Sequence, residues 1–512
     1  MQKEKLVSPR YRWFKRLQWG VAVSLLLLLA VRLWWGWEAQ RRLDAAIAKW
    51  HAAGEPVLVD GFARPPVPDE ENAASFLNEA AKALQLPSGF RDFNEVEAVI
   101  ESQPDSAPAL VSQLMEMNQE TLRLIAAARA RPAADWNLSL RPPLATTLIL
   151  PHLKYMRQLA RLELAVLIAQ HEAGDDAGAL EACNDTLGIA AALAEGPLIS
   201  HLVSIAARTL AYDGLERITP TLDIRNDGAE NPAVAGPASR AQVNALMEAL
   251  LDEAEWRRTV VRSMQFERMI QIEDGQIFLK GQGGPFGGPP VASLTLLMLR
   301  PAWVLDTAFM AEWTTQMANA LAAANWPAAA AHIPARIKRH PFVDNVAHLF
   351  SSTLLPSCER AVELSFRTLA TRRMAATALA MRLYEIDHGR RPDRLDELAP
   401  DYLSSVPRDP YAADDRPIGY APNASPPVLY CLNVDGVDDG GRFELKIGGG
   451  VDGDAADLVF FLNGDRPRRP LAASASGGQS AATQSAPASQ SSSVETVPDD
   501  HEIDHTERDE GR

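Results

Sequence analysis

Between Leu17 and Trp37 runs a stretch of 21 residues interrupted by a single charge, Arg32. As a helix it is ~32 Å long, which matches a hydrocarbon core of ~30 Å. Its centre, Val21 to Val31, holds only aliphatic residues and Ser24. Arg32 lies near the far end, where a long apolar stem lets the guanidinium reach the interface. Trp13 and Trp19 on one side and Trp34, Trp35 and Trp37 on the other supply aromatic belts. The run therefore predicts one membrane-spanning helix, with the lipid bilayer as the partner of Leu17–Trp37.

Charge gives the direction. Lys3, Lys5, Arg10, Arg12, Lys15 and Arg16 precede the run, opposed only by Glu4, whereas Glu38 and Asp44 offset Arg41 and Arg42 after it. The excess of cations on one side predicts a cytoplasmic N-terminus, with the bulk of the chain across the membrane. The run ends in Arg-Leu-Trp-Trp-Gly-Trp without a small-residue cleavage site, so a retained anchor is expected and not a removed signal peptide.

A chain of 512 residues exceeds a single core and suits two domains with appendages. The net charge of −16 argues against a nucleic-acid partner, because a polyanion is repelled by most of such a surface. Cys183, Cys358 and Cys431 follow no metal or redox spacing. Their odd number excludes a disulfide framework and leaves one bridge, or three buried thiols, as the alternatives.

From Glu70 onward the apolar spacing is helical for about three hundred residues. The clearest unit is His152–His171, Ala177–Ala194 and Ile199–Leu215, separated by Gly174-Asp175-Asp176 and Gly196-Pro197. The stretch around Glu172 to Leu180 looks like the turn of a tetratricopeptide-type repeat. No second copy follows at a fixed period, so an irregular bundle or solenoid-like domain is expected. Ala241–Ile272 reads as one helix or two. Gly275–Pro290 is Gly/Pro-rich without a following Lys-Ser/Thr, which predicts a mobile surface loop. Ser293–Trp303 is apolar but too short to cross a bilayer. Asp306–Ala331 and Pro341–His388 complete the helices, the latter with an expected break at Leu355-Pro356. The Ser/Ala/Gln-rich and then acidic stretch 467–512 has too little apolar surface to order, so a disordered tail is expected.

From Thr371 the text changes. A helix ending at Gly389 is followed by short apolar runs at Ile418-Gly-Tyr, Val428–Asn433, Phe443–Ile447 and Leu458–Leu462. Four phrases stand in order: Leu383-Tyr-Glu-Ile-Asp-His-Gly-Arg-Arg-Pro, Leu403-Ser-Ser-Val-Pro-Arg-Asp-Pro-Tyr, Leu429-Tyr-Cys-Leu-Asn-Val-Asp-Gly and Asp452-Gly-Asp-Ala-Ala-Asp-Leu. Together they resemble the globular domain of the major pseudopilins of type II secretion systems. The resemblance covers roughly residues 371–465. It implies a helix packed on a small antiparallel sheet, a bacterial envelope location, and calcium held by a C-terminal acidic loop. Carried over position by position, the calcium ligands are Asp435, Asp438 or Asp439, Asp454 and Asp457, with the Leu432 carbonyl. Clustered carboxylates agree with a hard cation, which takes six to eight oxygens. The bland alternative is a set of exposed Asp-Gly turns. The N-terminus departs from the family, since it lacks a prepilin cleavage site and some three hundred helical residues intervene; incorporation into a filament is not expected.

The sequence contains no H-E-x-x-H, G-x-S-x-G, Walker A or C-x-x-C motif. Asp344 and His348, four apart, fit a surface ion pair better than an acid–base pair. His501 and His505 stand among solvated acids. The expected fold is mainly α. It runs as a basic segment (1–16), a transmembrane helix (17–37), a juxtamembrane helix and linker (38–68), a helical domain (69–370), a small α+β pseudopilin-like domain (371–466) and a tail (467–512). The expected role is a non-catalytic interaction or assembly protein of the envelope, anchored in the bacterial inner membrane, facing the periplasm and linked to secretion. The rivals are an enzyme, a hydrolase, with its site in the helical domain, and a structural calcium-stabilised module.

Overall fold

The computed structural model describes residues 9–102, 107–225, 236–279, 293–334, 351–446, 451–453 and 456–467. Asp344, His348, Asp454, His501, His505, the Gly-rich run 280–292 and the tail from 468 lie outside them.

Helix α1 (Pro9–Ala52) is continuous over 44 residues. It contains a run long and apolar enough to cross a membrane. Its first half is bare: Trp19, Leu26 and Leu28 are exposed, like every residue from Trp13 to Val31. The second half turns into a core helix. Ala39, Leu43 and Trp50, spaced four and seven apart, are buried on one stripe. The helix that leaves the apolar run is itself part of the core, with no linker between the two.

The body is mainly helical. α2 (Ala73–Ala83), α3 (Phe93–Ser102), α4 (Ala107–Met117) and α5 (Gln119–Arg129) pack around a central three-helix unit, and the short α6 (Leu144–Thr147) precedes that unit in the chain. That unit is α7 (His152–Glu172), α8 (Asp176–Leu193) and α9 (Leu198–Ile218). Gly174 ends α7 with a positive φ of 78°, a conformation that costs a glycine little. Asp175 then caps α8 by accepting from the Gly178 N–H at 3.1 Å. The run Ala241–Ile272 forms two helices, α10 (Arg240–Leu251) and α11 (Ala254–Leu279). α10 opens on a capping box between Ser239 and Gln242.

Three expectations are corrected here. α11 runs through Gly275 to Leu279, so the expected loop does not start at Gly275; a Cβ there would meet Thr307 Oγ1 at 2.8 Å. Helix α12 (Ser293–Ala322) begins thirteen residues before Asp306 and contains Pro301. After α13 (Trp326–Ala330), helix α14 (Ser351–His388) passes through Leu355-Pro356 without a break. Thr371, where the sequence changes character, lies mid-way along α14, and residues 1–471 cluster as one compact unit. α14 is buried around much of its circumference, with Ala375, Ala376, Leu379, Ala380 and Leu383 at most 1% exposed. A helix of that kind belongs at the centre of a body, and its alanines let neighbours approach closely.

A small sheet completes the unit. β1 (Ile224–Arg225) and β2 (Ala238–Ser239) form a separate parallel pair. β3 (Gly419–Ala421), β4 (Val428–Cys431) and, after two short strands, β7 (Leu458–Phe461) form an antiparallel sheet of order β3-β4-β7 that packs on α14. The expected strand Phe443–Ile447 reduces to β5 (Glu444–Leu445), paired with β6 (Val451–Asp452). The sheet is tied to α9 by the buried Glu216, which accepts from the Phe461 N–H at 2.6 Å and from Arg466 at 2.5 and 3.0 Å. Arg372, also buried, donates to the carbonyls of Ala249, Leu250 and Asp252 and so closes the C-terminus of α10.

Candidate functional site

The acidic loop and a cleft in the helical body are two places where polar groups gather among the described residues. In the loop, Asp457 is 1% exposed. Its Oδ2 accepts from the backbone N–H of Gly441 at 2.8 Å and of Asp439 at 3.1 Å, while Oδ1 is buried without a hydrogen-bond partner. Burial, with the negative charges of Asp438 and Asp439 adding to it, pushes this carboxyl up to about 6. Asp438 is engaged elsewhere: Arg416 donates to its Oδ2 at 2.6 Å, and its Oδ1 accepts from the Gly440 N–H. Asp435 is exposed and closes its own turn by accepting from the Val437 N–H at 3.2 Å. Asn433 is buried and donates to the carbonyls of Gly453 and Ala456, both at 2.8 Å, holding the two ends of the loop together.

Among the described residues no three acidic or histidine side chains converge on a point where a metal ion would sit. Asp457 and Asp439 are neighbours, Asp435 and Asp438 are spent on turns and on Arg416, and Asp454 lies outside the described residues. Among the described aspartates, Asp457 keeps one buried oxygen, Oδ1, without a hydrogen-bond partner.

The second place is a cleft of about 270 Å³ between the segment after Val57, the segment Ala134–Leu140, the turn Glu195-Gly196 between α8 and α9, and α11. Arg64, Arg262, Trp136 and Glu195 line it. Arg64 pairs with Glu195, to which Arg258 also comes within 3.9 Å. Arg262 lies 4.6 Å over the Phe62 ring and donates to the Gly61 carbonyl at 3.1 Å. Burial, with Arg64 beside it, lowers the Arg262 guanidinium below the usual arginine range. Trp136 donates to the Ala192 carbonyl at 2.7 Å and stacks on His152 at 4.1 Å between ring centres. These residues are scattered over two hundred positions and are individually ordinary, so periodicity and motif gave no signal for them.

The three cysteines are buried free thiols. Comparison of the chain with protein-family models, with curated proteins and with solved structures finds no match.

Proposed function

We propose that this chain is a single-pass membrane protein of the bacterial envelope whose helical body stands on the periplasmic face as a non-catalytic docking or assembly platform, linked to secretion. The observation that carries the reading is the seamless passage of α1 from a bare apolar run into the core of the body. A flexible tether lets a domain roam; a rigid helix locked into the core fixes its orientation to the bilayer, as a platform requires. The lock is specific. Arg268, 1% exposed, pairs with Glu55 at 2.7 Å, donates to the Pro56 carbonyl at 3.1 Å and to Thr315 Oγ1 at 2.9 Å, and lies 4.5 Å over the Trp50 ring. The basic residues before the run support the orientation. The antiparallel sheet packed on α14 supports, without establishing, a pseudopilin-like module and its link to secretion.

Cross-linking in intact cells, followed by detergent purification of the tagged full chain, tests the role. The reading expects repeated recovery of a particular extracytoplasmic protein; recovery of none would count against it. The cleft favours a second reading, a ligand-binding or hydrolytic site, because two arginines and a tryptophan face one opening. A small anionic ligand that raises the melting temperature of the native chain but not of an Arg262→Ala variant would support that rival.

The proposal extends to calcium at Asp457 and Asp439, where the ion would relieve carboxylate repulsion and brace the loop. Calcium should then raise the melting temperature relative to EGTA, and Asp457→Asn should remove the difference. An equal response in the variant would place the ion elsewhere.

A further inference from the structure

The turn between α7 and α8 joins three side chains that no motif in the sequence announced. Gly214 of α9 packs against Leu167 of α7, Arg217 comes within 4.0 Å of Glu172, and Thr221 meets His171. These pairs advance together, so α7 and α9 are parallel and end at one level. His171 occupies the last turn of α7, Gly174 reverses the chain, and Asp176 is the first residue of α8. Thr221 closes the short turn Thr219–Thr221 that follows α9.

His171 Nδ1 is hydrogen-bonded to Asp176 Oδ1, and its Nε2 lies 2.9 Å from Thr221 Oγ1. A carboxylate oxygen only accepts, so the proton of the neutral ring sits on Nδ1 and leaves Nε2 to accept from the Thr221 hydroxyl. The other acceptor open to that hydroxyl, the Ile218 carbonyl, is farther away at 3.5 Å. Asp176 Oδ2 accepts from the Asp223 N–H at 2.7 Å, so one carboxylate fixes both the ring and the segment that carries the hydroxyl. The N-terminal turn of α8 favours a negative charge at Asp176. Burial is graded along the row: Asp176 is 3% exposed, the His171 side chain 17%, and Thr221 faces solvent. An orienting carboxylate inside, a ring between and a hydroxyl at the surface is the order in which a base activates a nucleophile.

We propose that Thr221 is a nucleophilic hydroxyl that accepts an acyl group from an uncharged activated ester, with His171 as its general base and Asp176 positioning the ring. This goes beyond the platform reading and does not depend on it. In the step, Thr221 Oγ1 bonds to the ester carbonyl carbon while its proton passes to His171 Nε2. The tetrahedral adduct then expels the donor's alcohol oxygen, which takes that proton, and an ester on Thr221 remains. The acyl group moves between two oxygens and no atom is oxidised; water can discharge it by the same route, with His171 again taking the proton. The neighbourhood selects the donor. In the segments 171–176 and 217–225, Glu172, Asp175, Asp176 and Asp223 outnumber Arg217 and Arg225, which disfavours an anionic phosphoryl donor. A nucleophile with a base suits a donor with a good leaving group, an aryl ester, better than an amide.

The test treats the full chain in detergent with p-nitrophenyl butyrate, follows nitrophenolate release, and locates early acyl adducts by peptide mass spectrometry. General-base assistance is worth ~10²–10⁴-fold. Thr221 should therefore acylate at least about a hundredfold faster than Thr209, an exposed threonine of α9 that bonds the Ile205 carbonyl at 3.0 Å. Thr221→Ser should keep the reaction, whereas Thr221→Val and His171→Gln should lose it at an unchanged melting temperature. In the native chain the rate should rise with pH and level off as the ring loses its proton. Asp176→Asn, whose amide donates to Nδ1 and fixes the opposite tautomer, should flatten that profile at the background rate. Acylation of Thr221 no faster than of Thr209 would overturn the proposal and leave the three residues as a structural clasp. An undiminished rate in His171→Gln would overturn it as well. The comparison of two threonines in the native chain holds even where a variant fails to fold.

Discussion

The junction between anchor and body rests on Arg268, and its removal has a calculable cost. Arg268→Met keeps much of the buried stem but deletes the ion pair to Glu55, two hydrogen bonds and the contact with Trp50. The Glu55 side chain is 30% exposed, so the pair is discounted for solvent to ~1 kcal/mol. The hydrogen bonds to Pro56 and Thr315 add ~1 kcal/mol in total, net of water, and the cation–π contact another ~1 kcal/mol. The expected loss is about 3 kcal/mol. For a body of roughly 430 residues with ~2.1 cal/mol/K of unfolding entropy each, that corresponds to a fall of about 3 °C in Tm. Scanning calorimetry of the full chain in detergent measures it. A double-mutant cycle adds a sharper criterion: Glu55→Gln alone should cost ~1 kcal/mol, and the double variant should fall short of the summed losses by ~1 kcal/mol, because Arg268→Met has already freed Glu55. Strict additivity, or a loss under ~0.5 kcal/mol for Arg268→Met, would show that the two halves are not fastened here.

Arg372→Met leaves the last carbonyls of α10 without their donor and should cost about 3 kcal/mol, with Arg372→Lys restoring only part, since an ammonium cannot reproduce the fork; denaturant titration distinguishes the two. His201 is fully buried, neither ring nitrogen has a hydrogen-bond partner, and burial, then Arg208, lowers it to about 3. Its folded value lies below the ~6.5 of the unfolded chain, so native stability falls as pH drops from ~6.5 toward 3. His201→Phe should flatten that acid limb in a Tm-versus-pH series, and an unchanged limb would exclude His201 as its source. Asp185 has the opposite sign: burial, against Arg129 at 3.3 Å, raises it to about 7, with Glu181 adding to the rise. Its folded value exceeds the ~3.9 of the unfolded chain, so its contribution is present at low pH and lost as pH rises from ~4 through about 7. Asp185→Asn should remove that decline; a variant with the native slope would contradict the assignment.

The long apolar helix near the N-terminus was legible because its length, apolarity and flanking charges are all local. The helical body was legible for a related reason, since the 3.6-residue period survives wherever one face is buried. The start of α12 was not. Ser293–Trp303 read as a separate apolar run ahead of a helix from Asp306, yet the structure seats Pro301 inside α12 against Gly36 of α1, a long-range contact that no local pattern encodes. Thr371, where the text changes character, lies inside α14, which packs on the helices and on the sheet at once. At the acidic loop the aspartates could be read from the text, but which one is buried could not. Asp457 comes from the turn before β7 and meets backbone N–H groups sixteen and eighteen residues earlier, whereas Asp438 is drawn off by Arg416. The cleft was invisible, since its arginines, tryptophan and glutamate converge only after four separate segments pack.

The orientation of the chain is measured most directly by adding protease to spheroplasts that express it with an N-terminal tag. The account predicts loss of the body from the outside while a short tagged fragment ending shortly after α1 stays with the membrane. A body that survives until the cells are lysed, or a tag that the protease removes first, would contradict it.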